Sequence, residues 1–399
     1  MLLSACGGQP GTDADASGAT TFKAYATSVT PRPPSLPASA SLTAGEEAEV
    51  ARLSRDWGVQ TLLGGAPAAS DNRLTAPPLF FARAQVLDSA AQGDTLAALR
   101  VQLSLPSSPA VWTGLLAGLS RRISAAPEAV VTGTFMHSVN LPGSVLQQVS
   151  AADLTAQPQL RLEITDTLSA LSVPWPAATR FKATYIQVNG NQVLLDVLRI
   201  QGLVQTLDTP TYTARVLALP GQARLVQIVP RTALGLWTAS ELGPALEAVA
   251  RLEAPSMPGE LLLQPGAHGR SVGQQDTRGM DLAQDKRLAN LKGLDAIGGT
   301  YAELADSEAW AWADASGLQL GGSQSVRFIH DPLNVHGSGS VAGRAIKFVL
   351  ADCTAPATDI APYFLALTQA AGRITILARK AVLHGEPCLP AGVPAPSGP

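Results

Sequence analysis

Apolar residues recur at helical spacing in the first part of the chain and again beyond its middle. Between Glu46 and Leu63 they lie three or four positions apart, and Thr43 can cap the start of a helix there. The same kind of pattern predicts further helices near Pro78–Ala91, over 94–103, and from Ser240 onward. The sequence therefore predicts helices mainly in its N-terminal part.

Alternating apolar and polar residues, interrupted by turn residues, predict three β-hairpins in the later part of the chain. Their strands are Lys182–Val188 with Val193–Ile200, Ala214–Leu219 with Arg224–Val229, and Tyr363–Leu367 with Ile374–Val382. The first pair flanks Asn189-Gly190-Asn191, a sequence that favours a tight hairpin turn. Because helices come first and hairpin-connected strands follow, the pattern favours an α+β fold with largely antiparallel sheets over a doubly wound parallel sheet.

Composition agrees with one large domain and argues against highly charged partners. The chain has 399 residues, of which 46% are hydrophobic and 15% are charged, so it can bury a large core. Its 28 basic and 31 acidic side chains form no basic block or stripe, which disfavours nucleic acid and anionic membrane surfaces as partners. No run of about 18 apolar residues predicts a membrane-spanning helix.

The two ends of the chain differ from the part between them. Leu3–Gly8 resembles a bacterial lipobox, in which Cys6 would be lipidated and would anchor an exported protein; a chance match is the alternative. Residues 7–42 are rich in small residues and proline and predict a flexible tether, and residues 389–399 predict a disordered tail. The expected division is a partial signal at 1–6, the tether, one domain over 43–388, and the tail.

Cysteine usage is consistent with export. Once Cys6 is set aside, Cys353 and Cys388 remain, and an exported chain with two cysteines usually pairs them. Such a disulfide would stabilise the fold by ~3–4 kcal/mol through loop entropy. Two reduced, buried thiols in a cytosolic protein are the alternative. We therefore expect a protein of the cell envelope or the extracellular space.

The sequence offers no metal or cofactor motif. Its five histidines lack the spacing of metal ligands. The run Gly337–Gly343 precedes a β-rich stretch rather than a helix, which disfavours phosphate binding. Trp310 and Trp312 could form a carbohydrate platform, but packing in the core and at its rim is the preferred interpretation. We expect a protein that is not an enzyme and that uses no metal or cofactor.

Four segments share their order and spacing with the serpin family. They are Asn72–Thr95, Tyr212–Pro230, Ala313–Gly317 (Ala-Asp-Ala-Ser-Gly) and Pro362–Leu367 (Pro-Tyr-Phe-Leu-Ala-Leu). Between Glu46 and His384 the chain thus resembles a serpin. The resemblance implies an α+β fold in which N-terminal helices pack on largely antiparallel mixed β-sheets, with an exposed reactive-centre loop. It also implies a monomer that traps a target serine protease when the protease cleaves this loop and the freed arm enters a sheet.

The resemblance places the hinge of the loop in a run of small residues. The expected hinge consists of Gly337, Ser338, Gly339, Ser340, Val341, Ala342 and Gly343. A strand that inserts into a sheet cannot carry bulky side chains or unpaired charged ones, and this run contains none of either kind. Counting back from Pro362 places the scissile bond near Ala351-Asp352, with Leu350 and Lys347 as further candidates.

A disulfide would restrict where the loop can be cut. If Cys353 and Cys388 pair, a cut before Cys353 frees the inserting arm, whereas a cut after it leaves the arm tethered. A trap therefore requires a scissile bond N-terminal to Cys353.

Several residues depart from the family pattern. Ala76 and Leu79 stand where serpins usually have two serines, and Arg327 stands where they have a buried histidine. Pro332 would lie in the strand that flanks the insertion gap, where proline is disfavoured. These departures leave a second hypothesis open: an envelope lipoprotein that keeps the serpin fold, does not inhibit proteases, and acts as a binding or structural protein.

Overall fold

The computed structural model describes the greater part of the predicted domain. The described residues are 42–64, 72–90, 100–101, 103–125, 134–135, 161–187, 190–272, 302–329, 353–369 and 372–388. Several predictions lie outside them: Cys6, nearly all of the tether, most of the helix over 94–103, the hinge at 337–343, the scissile-bond candidates Lys347, Leu350, Ala351 and Asp352, and the tail.

Each predicted helix that lies within the described residues is present, displaced by one or two positions. The helices are α1 (Ala44–Leu63), α2 (Pro77–Ala90), α3 (Pro109–Leu116) and α4 (Ala239–Ala250). Thr43 caps α1, as expected: its side chain accepts a hydrogen bond from the backbone N–H of Glu46, and the Glu46 carboxylate accepts one from the N–H of Thr43. Thr238 and Glu241 form the same reciprocal cap on α4. Helix α3 was not predicted.

The strands follow the predicted order, and the three predicted hairpins are confirmed. The strands are β1 (Arg73–Thr75), β2 (Leu119–Ala125), β3 (Thr134–Phe135), β4 (Arg161–Pro174), β5 (Ala177–Ile186), β6 (Gln192–Asp208), β7 (Tyr212–Ala218), β8 (Arg224–Pro230), β9 (Met257–Leu263), β10 (Gly266–Val272), β11 (Ala302–Ala313), β12 (Gly317–Ile329), β13 (Tyr363–Thr368), β14 (Ile374–Lys380) and β15 (Glu386–Pro387). The hairpins are β5–β6, β7–β8 and β13–β14. Turn chemistry is local, which is why the sequence alone located them.

The strands form two sheets, and their named pairs are antiparallel. One sheet has six strands in the order β10-β11-β12-β4-β2-β3. The other has nine, in the order β1-β14-β13-β8-β7-β6-β15, with β5 and β9 also paired to β6. Strand β6 is long enough to pair with β5 along its first part and with β7 along its last. Helices first and antiparallel sheets later confirm the predicted α+β class.

The main core joins the two sheets through α1, α2 and α3. Helix α2 contacts β12 and β4 of the six-stranded sheet and β14 of the nine-stranded sheet. Its Phe80 stacks on Trp57 of α1, with ring centroids 4.3 Å apart, and Phe81 packs edge-on against Trp112 of α3. A second cluster lies between α4, α1 and the strands β7, β8, β13 and β14. None of the helices in the described parts of the chain is long and apolar enough to cross a membrane.

Candidate functional site at the centre of the six-stranded sheet

Strand β12 occupies an interior position of the six-stranded sheet. It pairs with β11 on one side, from Leu318 opposite Ala313 to Ile329 opposite Ala302. It pairs with β4 on the other side, from Gly317 opposite Pro174 to Ile329 opposite Arg161. Both edges of the strand are therefore hydrogen-bonded along its length, and β12 closes the sheet between β11 and β4.

This position corrects an expectation about the loop. The strand that leads toward Pro332 was expected to flank the gap that the run after Gly337 would enter. Residues up to Ile329 instead belong to β12, and among the described strands no gap is open between β11, β12 and β4. The described part of the strand reaches Ile329, and Pro332 lies outside the described residues.

A tight turn connects β11 to β12. Ala313–Gly317, the segment matched to the family motif, forms the connection between β11 and β12, with the N–H of Asp314 donating to the carbonyl of Gly317. One carboxylate oxygen of Asp314 accepts hydrogen bonds from the N–H groups of Ser316 and Gly317 and from the Ser316 hydroxyl. These bonds favour the charged form and lower the pKa of Asp314. The turn thus fixes the register of the hairpin.

The end of β4 is attached to the same turn by Trp175. Its indole is 8% exposed, and its N–H donates to the backbone oxygen of Asp314 at 2.7 Å. Strands β4 and β12 are therefore joined at this end by a side chain as well as by their ladder. The sequence analysis did not single out Trp175, because nothing local distinguishes it from an ordinary core aromatic residue.

The inner face of β12 contributes to the core. Leu318 and Leu320 are fully buried. The register shifts between Leu320 and Gly322, and Gln324 then points inward, also buried. In the orientation that pairs both its amide nitrogen and its amide oxygen, Gln324 donates to the carbonyl of Leu79 and accepts from the N–H of Arg83 in α2. The strand is therefore held by apolar burial near its start and by polar contacts with a helix further along.

Small residues let neighbouring groups approach β12 closely. A side chain at Gly322 would place its Cβ 2.6 Å from the carbonyl oxygen of Glu308, and one at Gly321 would place it 2.8 Å from the ring of Trp310. Both distances are shorter than side-chain packing allows. The ring of Trp310 consequently lies over Gly321 on the outer face of the sheet.

The two tryptophans of β11 lie outside the core; of the expected packing in the core and at its rim, the structure shows the ring of Trp310 packed on Gly321 at the outer face. The buried positions belong to the alanines that alternate with them: Ala309, Ala311 and Ala313. Trp310 and Trp312 therefore point to the outer face, and Trp312 is 46% exposed. The period of two along a strand explains the result, because both tryptophans must share one face.

A buried ion pair anchors α2 to this sheet. Arg121 of β2 binds Asp166 of β4 through two hydrogen bonds, 2.6 Å from Nε and 3.1 Å from Nη2, and both side chains are fully buried. The same guanidinium donates to the side chain of Gln85 and to the carbonyl of Ala82. Where serpins usually have two serines, Ala76 and Leu79 pack in the core instead. Polar contacts in this region come from Arg121, Asp166, Gln85 and Gln324.

A second buried polar cluster lies where β10 meets β13 and β14. Nε2 of His268 is 2.8 Å from the Tyr363 hydroxyl, which also accepts from the N–H of Gln264. Lys380 donates to the carbonyl of Ala267. Burial and, to a smaller extent, the nearby positive charge of Lys380 together lower the pKa of His268 to about 3. Burial also lowers the pKa of Lys380 to about 8.

Protonation of His268 should make stability fall in acid. The unfolded chain binds a proton at this histidine below its ordinary pKa of 6.5, whereas the folded chain stays neutral down to about 3. Between these values the unfolded state holds more protons, so we expect stability to decrease as the pH falls, with a slope from this group approaching about 1.4 kcal/mol per pH unit. Urea unfolding of wild type and His268→Gln from pH 7 to 4 measures it; equal slopes would contradict the assignment.

The predicted disulfide between Cys353 and Cys388 is present. Their Cα atoms are 5.5 Å apart, and the bond closes a separation of 35 residues that contains β13 and β14. The N–H of Cys388 donates to the carbonyl of Gln192, at the start of β6. Next to Cys353, the backbone around Ala357 bridges to Thr184 of β5. The disulfide thus fixes the chain after residue 352 to the nine-stranded sheet.

Comparison with solved structures identifies the fold. No family model matches the chain, and no curated protein matches it in sequence. A cleaved form of Serpin 42Da superposes with a TM-score of 0.56 at 12% identity, covering 86% of this chain and 100% of the other. The chain has the serpin fold. A loop-inserted form of a cleaved ovalbumin mutant (TM-score 0.55, 11% identity, 84% and 99% covered) and the latent form of the thermophilic serpin tengpin (0.52, 10%, 85% and 98%) agree with this assignment.

The serpin fold accounts for where the matched segments lie. Asn72–Thr95 contains β1 and α2, Tyr212–Pro230 forms the β7–β8 hairpin, and Pro362–Leu367 leads into β13. The structure brings these segments into one core, and it places the disulfide on the same sheet as β13. The proposed hinge and scissile bond lie in the stretch between β12 and Cys353 and stay predictions.

Proposed function

We propose that the protein inhibits a serine protease by serpin-type trapping, with β12 as the strand that the cleaved loop adds to the sheet. The observation that carries the proposal is the position of β12 between β11 and β4. A trap of this kind ends with such a strand inserted, and the release of stored strain drives the insertion. The three similar structures compared above are described as cleaved, loop-inserted and latent, which supports the interpretation of β12 as an inserted strand.

Under this proposal, the inserting arm lies closer to the N-terminus than the resemblance to serpins placed it. The arm would begin at Gly317, directly after the β11–β12 turn, rather than at Gly337. The scissile bond would lie after Ile329 and before Cys353. This range still contains the candidates Lys347, Leu350, Ala351 and Asp352. Gly321, Gly322 and Ser323 keep the middle of the arm small, which suits a strand that must pass between two others.

One observation favours a non-inhibitory serpin-fold protein as the second candidate. In the uncut chain β12 already fills the sheet, and the fully buried Leu318 and Leu320 each stabilise that position by roughly 1.5–3 kcal/mol. A chain that seats this strand before cleavage has no further strain to release when a protease arrives. Such a protein would bind or support other envelope components without trapping anything.

A protease panel separates the two candidates. Trypsin, elastase and subtilisin differ in the residue they accept before the scissile bond, so together they test Lys347, Leu350 and Ala351. We expect at least one of them to form a complex that survives denaturing electrophoresis, because the trapped acyl-enzyme is covalent. The same protease lacking its catalytic serine serves as the control and should form none. Cleavage without any complex, at every molar ratio, would reject the trap and favour the second candidate.

The disulfide allows the cut to be located on the same gel. A cut before Cys353 gives a C-terminal fragment that contains both cysteines, so it separates from the body without reduction. A cut between Cys353 and Cys388 gives fragments that separate only after reduction. We expect the first pattern, and the second would contradict an arm that is free to insert.

We also propose that the protein is exported and works as a monomer. The disulfide supports an oxidising compartment outside the cytoplasm. Lipidation of Cys6 would keep the protein at the cell envelope, and mass analysis of the native N-terminus tests this point.

A further inference from the structure

A cleft opens where the nine-stranded sheet meets one end of the six-stranded sheet. Its volume is about 420 Å³, and its walls come from β5, β6, the start of β10, the end of β11 and the chain before β15. Its lining includes one tryptophan, two cationic and three acidic side chains: Trp312, Arg180, Lys182, Asp196, Asp314 and Glu386. The arm β12 is not part of this lining, so the cleft is independent of the proposed trap.

Trp312 presents a large aromatic surface at this cleft. The core side of β11 is taken by Ala311 and Ala313, which leaves Trp312 on the outer face with 46% of its surface exposed. The edge of its ring lies near Gly266: a Cβ added to Gly266 would be 3.9 Å from the Trp312 ring. Tryptophan is usually well buried, and an exposed one beside a concave polar surface is the informative exception. Its ring offers a flat apolar face to a ligand.

The polar groups of the cleft are arranged as neighbouring pairs of opposite charge. Arg180 binds Asp196 at 2.8 Å, and Lys182 lies 3.5 Å from Glu386. All four side chains remain at least 36% exposed, so each keeps capacity for further hydrogen bonds. With Asp314 the lining holds three carboxylates and two cations, which gives no excess of positive charge and disfavours an anionic ligand.

Much of the backbone around the cleft is already paired, which disfavours an extended peptide. Leu194 pairs with Thr184 on one side and with Glu386 on the other, and Gly266 pairs with Ala313. A peptide that binds by strand addition needs a free edge, and these positions offer none. The groups that remain are side chains: an aromatic face and pairs of donors and acceptors.

We propose that this cleft binds an uncharged oligosaccharide, with a sugar ring on Trp312 and its hydroxyl groups on the Arg180–Asp196 and Lys182–Glu386 pairs. A pyranose has one face of C–H groups, which packs on an aromatic ring, and neighbouring hydroxyls that both donate and accept. Carboxylate and guanidinium side by side satisfy two such hydroxyls at once. A mostly concave site with an aromatic wall and a few convergent polar groups is the usual form of a small-molecule site.

Titration of the full chain with neutral oligosaccharides tests the proposal. The probes are maltotetraose, cellotetraose, chitotetraose and mannotetraose, each taken to about 10 mM, which covers weak millimolar binding. We expect one of them to give saturable heat in calorimetry and to change tryptophan emission. Trp312→Ala should weaken that binding at least tenfold and remove the emission change, and Asp196→Asn should weaken it several-fold.

Leu236→Ala is the matched control, because Leu236 is also an exposed apolar residue, 71% accessible, and lies outside the cleft lining. It should bind the sugar as wild type does. Circular dichroism confirms that each variant is folded. The proposal is overturned if wild type binds none of the four sugars, or if Trp312→Ala binds the active one as tightly as wild type. Protease trapping plays no part in the readout, so either proposal can fail alone.

Discussion

Replacing Arg121 with alanine is expected to lower the free energy of unfolding by about 3–5 kcal/mol. The substitution leaves the carboxylate of Asp166 fully buried without its partner, and it removes the donor groups that hold Gln85 and the carbonyl of Ala82. An unpaired charge in the interior lowers the free energy of unfolding by far more than the intact ion pair raises it. Urea denaturation at neutral pH measures the loss.

Two further variants show whether the effect comes from the unpaired charge. Arg52→Ala breaks an ion pair with Asp56 whose members are 50% and 46% exposed, and it should cost less than about 1 kcal/mol. Arg121→Met combined with Asp166→Val removes both buried charges, and it should be closer to wild type than Arg121→Ala. A loss below about 1 kcal/mol for Arg121→Ala would show that this pair does not anchor α2 to the sheet.

Leu320→Glu is expected to expel β12 from the sheet or to destabilise the protein by more than about 3 kcal/mol. The side chain of Leu320 is 0% exposed and faces the core, so a carboxylate there would be buried without a partner. Melting temperature and hydrogen exchange of the β12 amides measure the change. Under the proposed trap the same substitution also blocks insertion, so the protease should cleave the variant without forming a complex.

Gln319→Glu is the control for this experiment, because it introduces the same carboxylate at the next residue of the strand. Gln319 lies opposite Trp312 on the outer face, where a charge remains solvated. It should change stability by no more than about 0.5 kcal/mol. Similar melting temperatures for the two variants would mean that β12 is not seated in the sheet as described.

The elements that the sequence predicted are those that short-range chemistry determines. Thr43 and Glu46 lie three residues apart and cap α1, and the turn residues around Gly190 and Gly221 join their strands over a few positions. The disulfide was predicted because only two cysteines remained to pair. In each case the deciding contacts are close in sequence or leave few alternatives.

The position of β12 could not be predicted in this way. Its pairing with β4 joins residues that are far apart in the chain, and apolar periodicity carries no information about which strands become neighbours. The Ala313–Gly317 segment was interpreted through its resemblance to a family motif, although Asp314 and Gly317 also suit a hairpin turn. Arg121 and Asp166 are 45 residues apart, and neither charge signals burial on its own.

The hydrogen bond from Trp175 to the β11–β12 turn makes the two ends of β12 unequal. The Gly317 end of the strand is held by the turn and by the indole in addition to the ladders that pair β12 with β11 and β4 as far as Ile329. We therefore expect the Gly317 end to be the last part of β12 to leave the sheet. On this expectation, hydrogen exchange of the β12 amides should be slowest next to the turn.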